Sequence, residues 1–177
     1  MKPTFRLTTI SSLLSILCLC ATICSSNVAA QTSGQTLDQV SLLMQFKGTW
    51  QGEYGGKDTL LIWQTKPIAN NKGLYSYAKL TYQGKILLES WAIYAYDPEI
   101  RKVVWFELLS DGTVLPYRGE FSSPTTLDIN IYSKAGSDTI VQKARLQFRT
   151  ADTIDASEIN PVSGVTKSSV FKRTKRQ

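Results

Sequence analysis

The side chains that the sequence lacks decide most of the chemistry open to it. The 177 residues contain no histidine, and the three cysteines, Cys18, Cys20 and Cys24, all lie within the first thirty residues. A Ser-His-Asp triad, a Cys-His pair and the usual zinc ligand sets therefore cannot be assembled. Carboxylates remain for acid–base work, but no Asp or Glu pair stands out in the sequence. The sequence favours a protein that is not an enzyme and carries no metal or cofactor.

The first thirty residues have the pattern of a secretory signal peptide. Lys2 and Arg6 give a basic start, the apolar run "LTTISSLLSILCLCATIC" follows, and "NVAA" places small residues before Gln31. The run is short and broken by Ser and Thr, which is typical of a cleaved leader and not of a membrane span. We expect cleavage near Ala30 and export to the periplasm or the extracellular space.

The chain after residue 30 has 147 residues, no cysteine and a formal charge of +4. That length supports one well-buried domain, which must be stable without a disulfide. The residues before the three cysteines are large and apolar, so the small residue that precedes a lipid-modified cysteine is missing. The basic end "FKRTKRQ" predicts a solvated tail or, alternatively, contact with an anionic surface. We predict no nucleic-acid partner for an exported protein.

One short helix and about ten strands are predicted for the rest of the chain. The segment Thr36 to Phe46 has apolar residues at the spacing of one helix face. Beyond it, β-branched and aromatic runs alternate with turn segments such as "YGGKD", "ANNKG", "SDGT" and "NPVSG". Strands joined by tight turns predict an all-β, up-and-down antiparallel barrel, which leaves no open sheet edge. We place the helical segment at 31–47, the barrel at 48–174 and a basic tail at 175–177.

This pattern resembles the lipocalin/calycin superfamily, and the ten-strand fatty-acid-binding-like and nitrobindin-like barrels most of all. The resemblance covers nearly the whole chain after the leader and rests on Gly48–Thr49–Trp50 and on Arg173 in "VFKR". It implies that Trp50 closes one end of the barrel and that Arg173 packs over its ring. Histidine-ligated haem, which nitrobindin-like relatives use, is impossible here, and a tyrosine ligand has no support.

The turn sequences predict which side chains face inward. Taking Asp111–Gly112 as a two-residue hairpin loop sets Phe106 opposite Tyr117. Taking "DPEIRK" and Gln83–Gly84 as turns sets Ile93 opposite Phe106 and Leu74 opposite Ile93. Alternation then gives an apolar inner face and an amphipathic outer face. The predicted inner face is Leu74, Ser76, Ala78, Leu80, Leu87, Glu89, Trp91, Ile93, Ala95, Val104, Phe106, Leu108, Leu115 and Tyr117; the outer face is Tyr75, Tyr77, Lys79, Ser90, Tyr94, Tyr96, Trp105, Glu107, Arg118 and Glu120.

A ligand pocket is predicted on the inner face. Its apolar lining would be Trp91, Ile93, Phe106 and Tyr117, with Glu89 or Arg118 orienting the polar end of the ligand. Glu89 would be costly inside unless paired or protonated, and the alternative is that it lies at the wet barrel mouth. If the faces are reversed, Arg118 points inward with Tyr94 and Tyr96. That set resembles the carboxylate clamp of fatty-acid-binding-like barrels.

Two functions fit these features. The first is an exported barrel that binds a small apolar or amphiphilic molecule in its interior. The second is a filled barrel that docks on a protein partner, a second copy or the cell envelope. The outer row Tyr94–Trp105–Arg118 would serve the second function, since aromatic residues and arginine favour interface centres. Ordinary cross-strand pairing on a solvated sheet is the other reading of that row.

Overall fold

Ten antiparallel strands close into one barrel in the computed structural model, which describes residues 36–164 and 166–175. Each strand pairs with the next along the chain and the first pairs with the last, so the predicted up-and-down barrel is confirmed. The predicted leader at 1–30 and residues 176 and 177 of the predicted tail lie outside the described residues. The strands are β1 (Gly48–Glu53), β2 (Thr59–Ile68), β3 (Gly73–Tyr82), β4 (Lys85–Asp97), β5 (Lys102–Leu109), β6 (Val114–Ser123), β7 (Thr126–Tyr132), β8 (Ile140–Thr150), β9 (Thr153–Ile159) and β10 (Thr166–Lys175).

A short helix, α1 (Gln39–Leu43), and a 3-10 turn at Met44–Phe46 cover one end of the barrel. The regular helix is shorter than the predicted Thr36 to Phe46. Leu43 and Phe46 are buried in the core. The side chain of Gln39 is also buried and pairs with the backbone of β6: Gln39 Nε2 donates to the carbonyl of Phe121 at 3.2 Å, and the Phe121 N–H donates to Gln39 Oε1 at 2.8 Å. The helical segment therefore acts as a plug.

Trp50 closes the same end, as the resemblance implied. It is fully buried, and its indole N–H donates to the carbonyl of Phe46 at 2.9 Å. The guanidinium of Arg173 lies over its ring, 4.1 Å from the ring centre. The barrel is consistent with a calycin-like fold.

The seam between β1 and β10 depends on a residue without a side chain. A Cβ atom at Gly52 would lie 2.1 Å from the carbonyl oxygen of Val170 and 2.9 Å from the ring of Phe171. No side chain fits at that distance, so glycine is what allows the first and last strands to pair closely here.

The β3–β4 hairpin begins as predicted and then slips by one residue. Gln83 and Gly84 form a two-residue loop, both with positive φ, and Tyr82 pairs with Lys85. Beyond the loop, Thr81 pairs with Ile86 but Leu80 pairs with Leu88. Leu87 is therefore an extra residue in β4, a β-bulge that the turn sequence does not reveal.

A second one-residue difference occurs between β5 and β6. The N–H of Leu109 donates to the carbonyl of Thr113 at 2.8 Å across a three-residue loop that ends in Gly112, whose φ is +88°. This is the three-residue hairpin with a left-handed glycine, not the predicted two-residue turn. Trp105 consequently pairs with Tyr117, and Phe106 with Pro116. The predicted β4–β5 register, with Ile93 opposite Phe106, is confirmed.

The first register difference turns the side chains of β4 and β5 to the faces opposite those predicted. The second difference compensates for the first, so β6 has the predicted orientation. A shift of one residue moves every side chain of a strand to the other face. The placement of Leu87, Trp91, Ile93, Ala95, Val104, Phe106 and Leu108 on the inner face was therefore wrong, as was that of Ser90, Tyr94, Trp105 and Glu107 on the outer face. Strands β3 and β6 lie as predicted: Leu74, Ser76, Ala78, Leu80, Leu115 and Tyr117 face inward, and Arg118 faces outward.

Candidate functional site

A cavity of about 360 Å³ occupies the barrel interior toward the end that α1 does not cover. Its mouth is formed where β3, β4 and β5 end or begin, at Leu80, Leu88 and Leu109. Its walls are mostly apolar, and Trp63, Trp105 and Phe171 line the deeper part. A smaller void of about 100 Å³ lies beneath the helical plug. The interior is therefore partly filled and partly open.

A carboxylate–phenol pair projects into this cavity from β5 and β6. The hydroxyl of Tyr117 donates to Glu107 Oε2 at 2.5 Å. Trp105 stacks on Tyr117 with ring centres 4.7 Å apart and planes 9° from parallel, and Tyr94 stacks on Trp105 at 5.2 Å. Because Trp105 and Tyr117 are direct cross-strand neighbours, the alternation of both strands places these side chains on one face.

A second carboxylate is held on the opposite part of the wall. Glu158 on β9 accepts hydrogen bonds from the hydroxyl of Tyr54 at 2.8 and 3.0 Å, and from Nε2 of Gln142 at 2.7 Å. Tyr54 follows the last residue of β1, and Gln142 lies on β8 two residues before Ala144, the residue that pairs with Glu158. All three line the same cavity as Glu107.

The two carboxylates both raise the pKa values of tyrosines that line the cavity. Burial raises the pKa of Tyr117 well above its usual range, and the negative charge of Glu107 raises it further. Burial and the charge of Glu158 raise the pKa of Tyr54 in the same way, with a smaller contribution from Glu107. Burial and Glu107 also raise the pKa of Tyr94. The three phenols therefore stay protonated at neutral pH and act as hydrogen-bond donors.

The sequence-predicted site residues are not brought together. Trp91, Ile93 and Phe106 lie on the outer surface and cannot line the interior. Only Tyr117, of the predicted lining, contacts the cavity. The outward exposure of the three follows from the bulge at Leu87 and the three-residue loop before Thr113.

The two predicted polar anchors have other positions. Glu89 lies at the rim of the cavity, where it accepts a hydrogen bond from the hydroxyl of Tyr77 on the outer face. Arg118 faces outward, with its guanidinium 4.6 Å from the ring centre of Tyr132 and 3.6 Å from Asp138. The reversed-face alternative was thus right to turn Tyr94 inward but wrong for Arg118, and no arginine clamp forms. The outer row Tyr94–Trp105–Arg118 does not exist either.

Sequence reasoning missed Tyr54, Glu107, Gln142 and Glu158 as site residues. A signal for Glu107 was present: "SDG" also fits a three-residue hairpin loop with glycine in the left-handed position. That loop turns Tyr117 inward together with Trp105 and Glu107. The signal for Glu158 is the alternation of its strand, which places it on the same face as the buried Ile154 and Ala156.

The barrel also has an outer groove, lined by charged side chains of β6 to β9, with a volume of about 550 Å³. Its cations are largely matched by neighbouring acids. Arg145 Nε lies 2.6 Å from Asp128 Oδ1, and Lys102 pairs with Glu120. Exposed pairs of this kind are ordinary for a solvated sheet.

No protein-family model matches the chain, and no curated protein matches it. Within residues 36–164 and 166–175, no helix is long and apolar enough to cross a membrane. The geometry of the cavity is therefore the basis for assigning a function.

Proposed function

We propose that the protein binds a small amphiphilic molecule inside the barrel and does so without catalysis. The observation that carries this proposal is a cavity of about 360 Å³ that combines apolar walls with one polar group built on Glu107 and Glu158. Ligand sites are typically cavities of roughly 300–1,000 Å³ with mainly apolar lining and a few placed polar groups. The apolar part of the ligand would lie against Trp63 and Trp105.

Binding would be driven by removal of apolar surface from water. Each Å² buried contributes roughly 25 cal/mol before the cost of association is subtracted. The polar group would fix the orientation of the ligand, since its hydrogen-bonding atoms must be matched once water has left. The lack of histidine in the sequence, and of cysteine after residue 30, favours binding over turnover.

Fluorescence of a neutral lipophilic probe, N-phenyl-1-naphthylamine, tests the proposal. We expect the probe to bind the wild-type protein and to quench the tryptophans that line the cavity. Ala78→Phe fills the cavity from β3, whereas Ala95→Phe adds the same ring on the exposed face of β4. The first variant should lose binding and the second should keep it. Equal binding by both variants, or none by the wild type, would contradict an interior site.

The export of the protein is part of the same proposal. The support is the sequence pattern of residues 1–30, with its basic start, apolar run and small residues before Gln31. The intact mass of the protein purified from its own host tests it. A chain that begins near Gln31 and comes from the periplasm or the medium is expected, and a full-length cytoplasmic chain would contradict export.

Self-association through the outer face is a second candidate function. Six apolar side chains from β3 to β6, each between 36% and 59% exposed, form a continuous cross-strand surface. Together they expose on the order of 600 Å², and patches of this size mark interaction sites. We name this surface the outer apolar patch. Its members are Tyr75, Trp91, Ile93, Phe106, Leu108 and Val114.

We propose a second copy of the chain as the occupant of the outer apolar patch. The patch carries no charge, so two copies can pack face to face without burying an unpaired ion. Its area also approaches the ~800 Å² that each partner contributes to a standard interface. Light scattering over a concentration series should show a dimer that the double change Ile93→Lys and Phe106→Lys abolishes. Val162→Lys, at a 94% exposed loop position, is the control. A monomer at all concentrations would contradict the proposal.

A further inference from the structure

We infer that the interior site selects a ligand with a cationic head group, an ammonium on an apolar body, over one with a carboxylate head. The inference rests on the proposed binding function and specifies its ligand class. It combines three features of the cavity: the sign of its charges, the hydrogen-bonding capacity left free, and the aromatic surface beside Glu107.

The charges that line the cavity are negative. Two carboxylates, Glu107 and Glu158, project inward, Glu89 lies at the rim, and no lysine or arginine lines this cavity within the described part of the chain. Both inner carboxylates receive hydrogen bonds from neutral donors only. A carboxylate head group would add like charge where water is scarce, whereas an ammonium would supply the missing counter-charge.

The hydrogen-bonding capacity left free at the two carboxylates consists of acceptors. The hydroxyls of Tyr54 and Tyr117 already donate to the carboxylates, and Gln142 donates to Glu158. Oε1 of Glu107 receives no hydrogen bond from any residue that the structure describes, although Oε2 accepts the Tyr117 hydroxyl. A head group that binds at Glu107 must therefore bring a donor, and an ammonium carries up to three.

A serine in the cavity wall offers a further hydrogen-bonding group to a ligand. Ser90 is 6% exposed and lines the cavity, yet its hydroxyl forms no hydrogen bond with residues 36–164 or 166–175. Ser90 reaches the interior because the bulge at Leu87 turns that face of β4 inward. Once a ligand displaces water from the cavity, this hydroxyl needs a partner, and its oxygen can accept a hydrogen bond from an ammonium.

Aromatic rings line the cavity next to Glu107. Tyr94, Trp105 and Tyr117 form a three-ring stack, and the last ring is hydrogen-bonded to Glu107. Aromatic faces attract cations, and more strongly where water is excluded. A metal ion is a poorer occupant, because no group of three or more carboxylate, histidine or cysteine side chains in the described residues is placed to hold one.

Comparing the affinities of three ligands that share one alkyl chain distinguishes selection of the head group from non-specific partition of the chain into the cavity. Decylamine, decanol and decanoate are titrated at neutral pH against N-phenyl-1-naphthylamine bound to the full exported chain. We expect decylamine to displace the probe at a concentration at least about tenfold lower than decanoate, the effect of one modest charge interaction. Decanol should fall between them. High salt should narrow the gap only partly, since the site is shielded from solvent.

Variants that remove the charge of Glu107 or Glu158 test whether these carboxylates select the amine head group. Glu107→Gln keeps the shape of the side chain and should reduce the amine-to-acid preference several-fold, with a further reduction when Glu158→Gln is added. Glu99→Gln, an exposed position in the turn after β4, should leave the preference unchanged. If an interior variant fails to fold, the comparison of the three ligands on the wild-type protein still decides the question.

The possible outcomes are distinct. Equal affinity for the three ligands, or tighter binding of decanoate, overturns the head-group inference while leaving interior binding intact. A preference for decylamine that Glu107→Gln and Glu158→Gln do not change also overturns it, because the selecting charge then lies elsewhere. Failure of the probe to bind, or its retention by Ala78→Phe, removes the proposed function itself.

Discussion

The guanidinium carbon of Arg173 lies 4.1 Å from the centre of the Trp50 ring, and the two residues belong to the last and first strands of the barrel. The same guanidinium donates to the backbone carbonyls of Gln45 and Ala151 at 2.8 Å and to that of Lys47, and it pairs with Asp152 at 3.1 Å. One side chain thus joins the helical plug, the β8–β9 turn and the barrel seam. Asp152 balances the charge of this guanidinium.

Arg173→Lys should destabilise the protein by about 1–3 kcal/mol, because an ammonium cannot reach the three carbonyls together or stack as a plane. Urea denaturation followed by tryptophan fluorescence measures the change. Arg149→Lys is the matched control: its ion pair with Asp155 is solvent-exposed, and we expect a loss of no more than about 0.5 kcal/mol. An equal loss of unfolding free energy in the two variants would show that the contacts of Arg173 stabilise the protein no more than an exposed ion pair does.

Gly52→Ala should destabilise the barrel by at least about 1–3 kcal/mol, because the new Cβ would collide with the backbone of β10 and not with a movable side chain. The collision lies at the closing seam, so hydrogen exchange of β1 and β10 amides should increase more than that of β4 to β6. Gln51→Ala, at the exposed neighbouring position, should change neither quantity much. Uniform exchange in Gly52→Ala would mean that the seam does not open locally.

Deletion of Leu87 should preserve the register of β4 and destabilise the barrel by only about 1–2 kcal/mol. Leu87 is the extra residue of the bulge, so its removal lets Leu80 pair with Leu88 in a regular ladder and leaves Tyr94 in the core. Circular dichroism and denaturation of the deletion variant measure the effect. Deletion of Gly136, in the exposed loop between β7 and β8, is the comparison and should have a similarly modest effect. A Leu87 deletion that unfolds the barrel would show that the bulge itself is needed for closure.

The buried phenols predict a loss of stability at alkaline pH. The pKa values of Tyr54, Tyr94 and Tyr117 are raised by burial above the unfolded value of about 10. A raised pKa means that the folded state holds the proton more tightly. The stability that these buried phenols contribute is fully present below pH ~10. It is lost as the pH rises toward the pKa values of the tyrosines in the folded state.

Ultraviolet titration of phenolate checks that loss. At about pH 11, adding urea should increase the phenolate absorbance, since the buried tyrosines ionise only on unfolding. Tyr117→Phe should reduce the increase. Glu107→Gln should lower the pKa of Tyr117 but leave it above the usual value, because burial is the larger cause. A wild-type protein that ionises fully at this pH without unfolding would contradict the buried placement.

The architecture was readable from the sequence because its signals are local. Turn residues such as Gln83–Gly84 separate the strands, consecutive strands pair, and a sheet of ten strands avoids open edges by closing. The pairing of Trp50 with Arg173 was implied by resemblance, and the structure has that geometry. These features do not depend on the exact register of any strand pair.

The site could not be read in the same way, because it depends on register. Side chains alternate with a period of two, so the single extra residue at Leu87 reverses a whole strand. Hydrophobicity did not reveal the error, since both faces of β4 and β5 are apolar: Trp91, Ile93 and Phe106 on one, Tyr94 and Trp105 on the other. The sequence determined a closed barrel without histidine or thiol chemistry after the leader. Only the tertiary structure decided which aromatic face turns inward, and with it that Glu107 and Glu158 share one cavity.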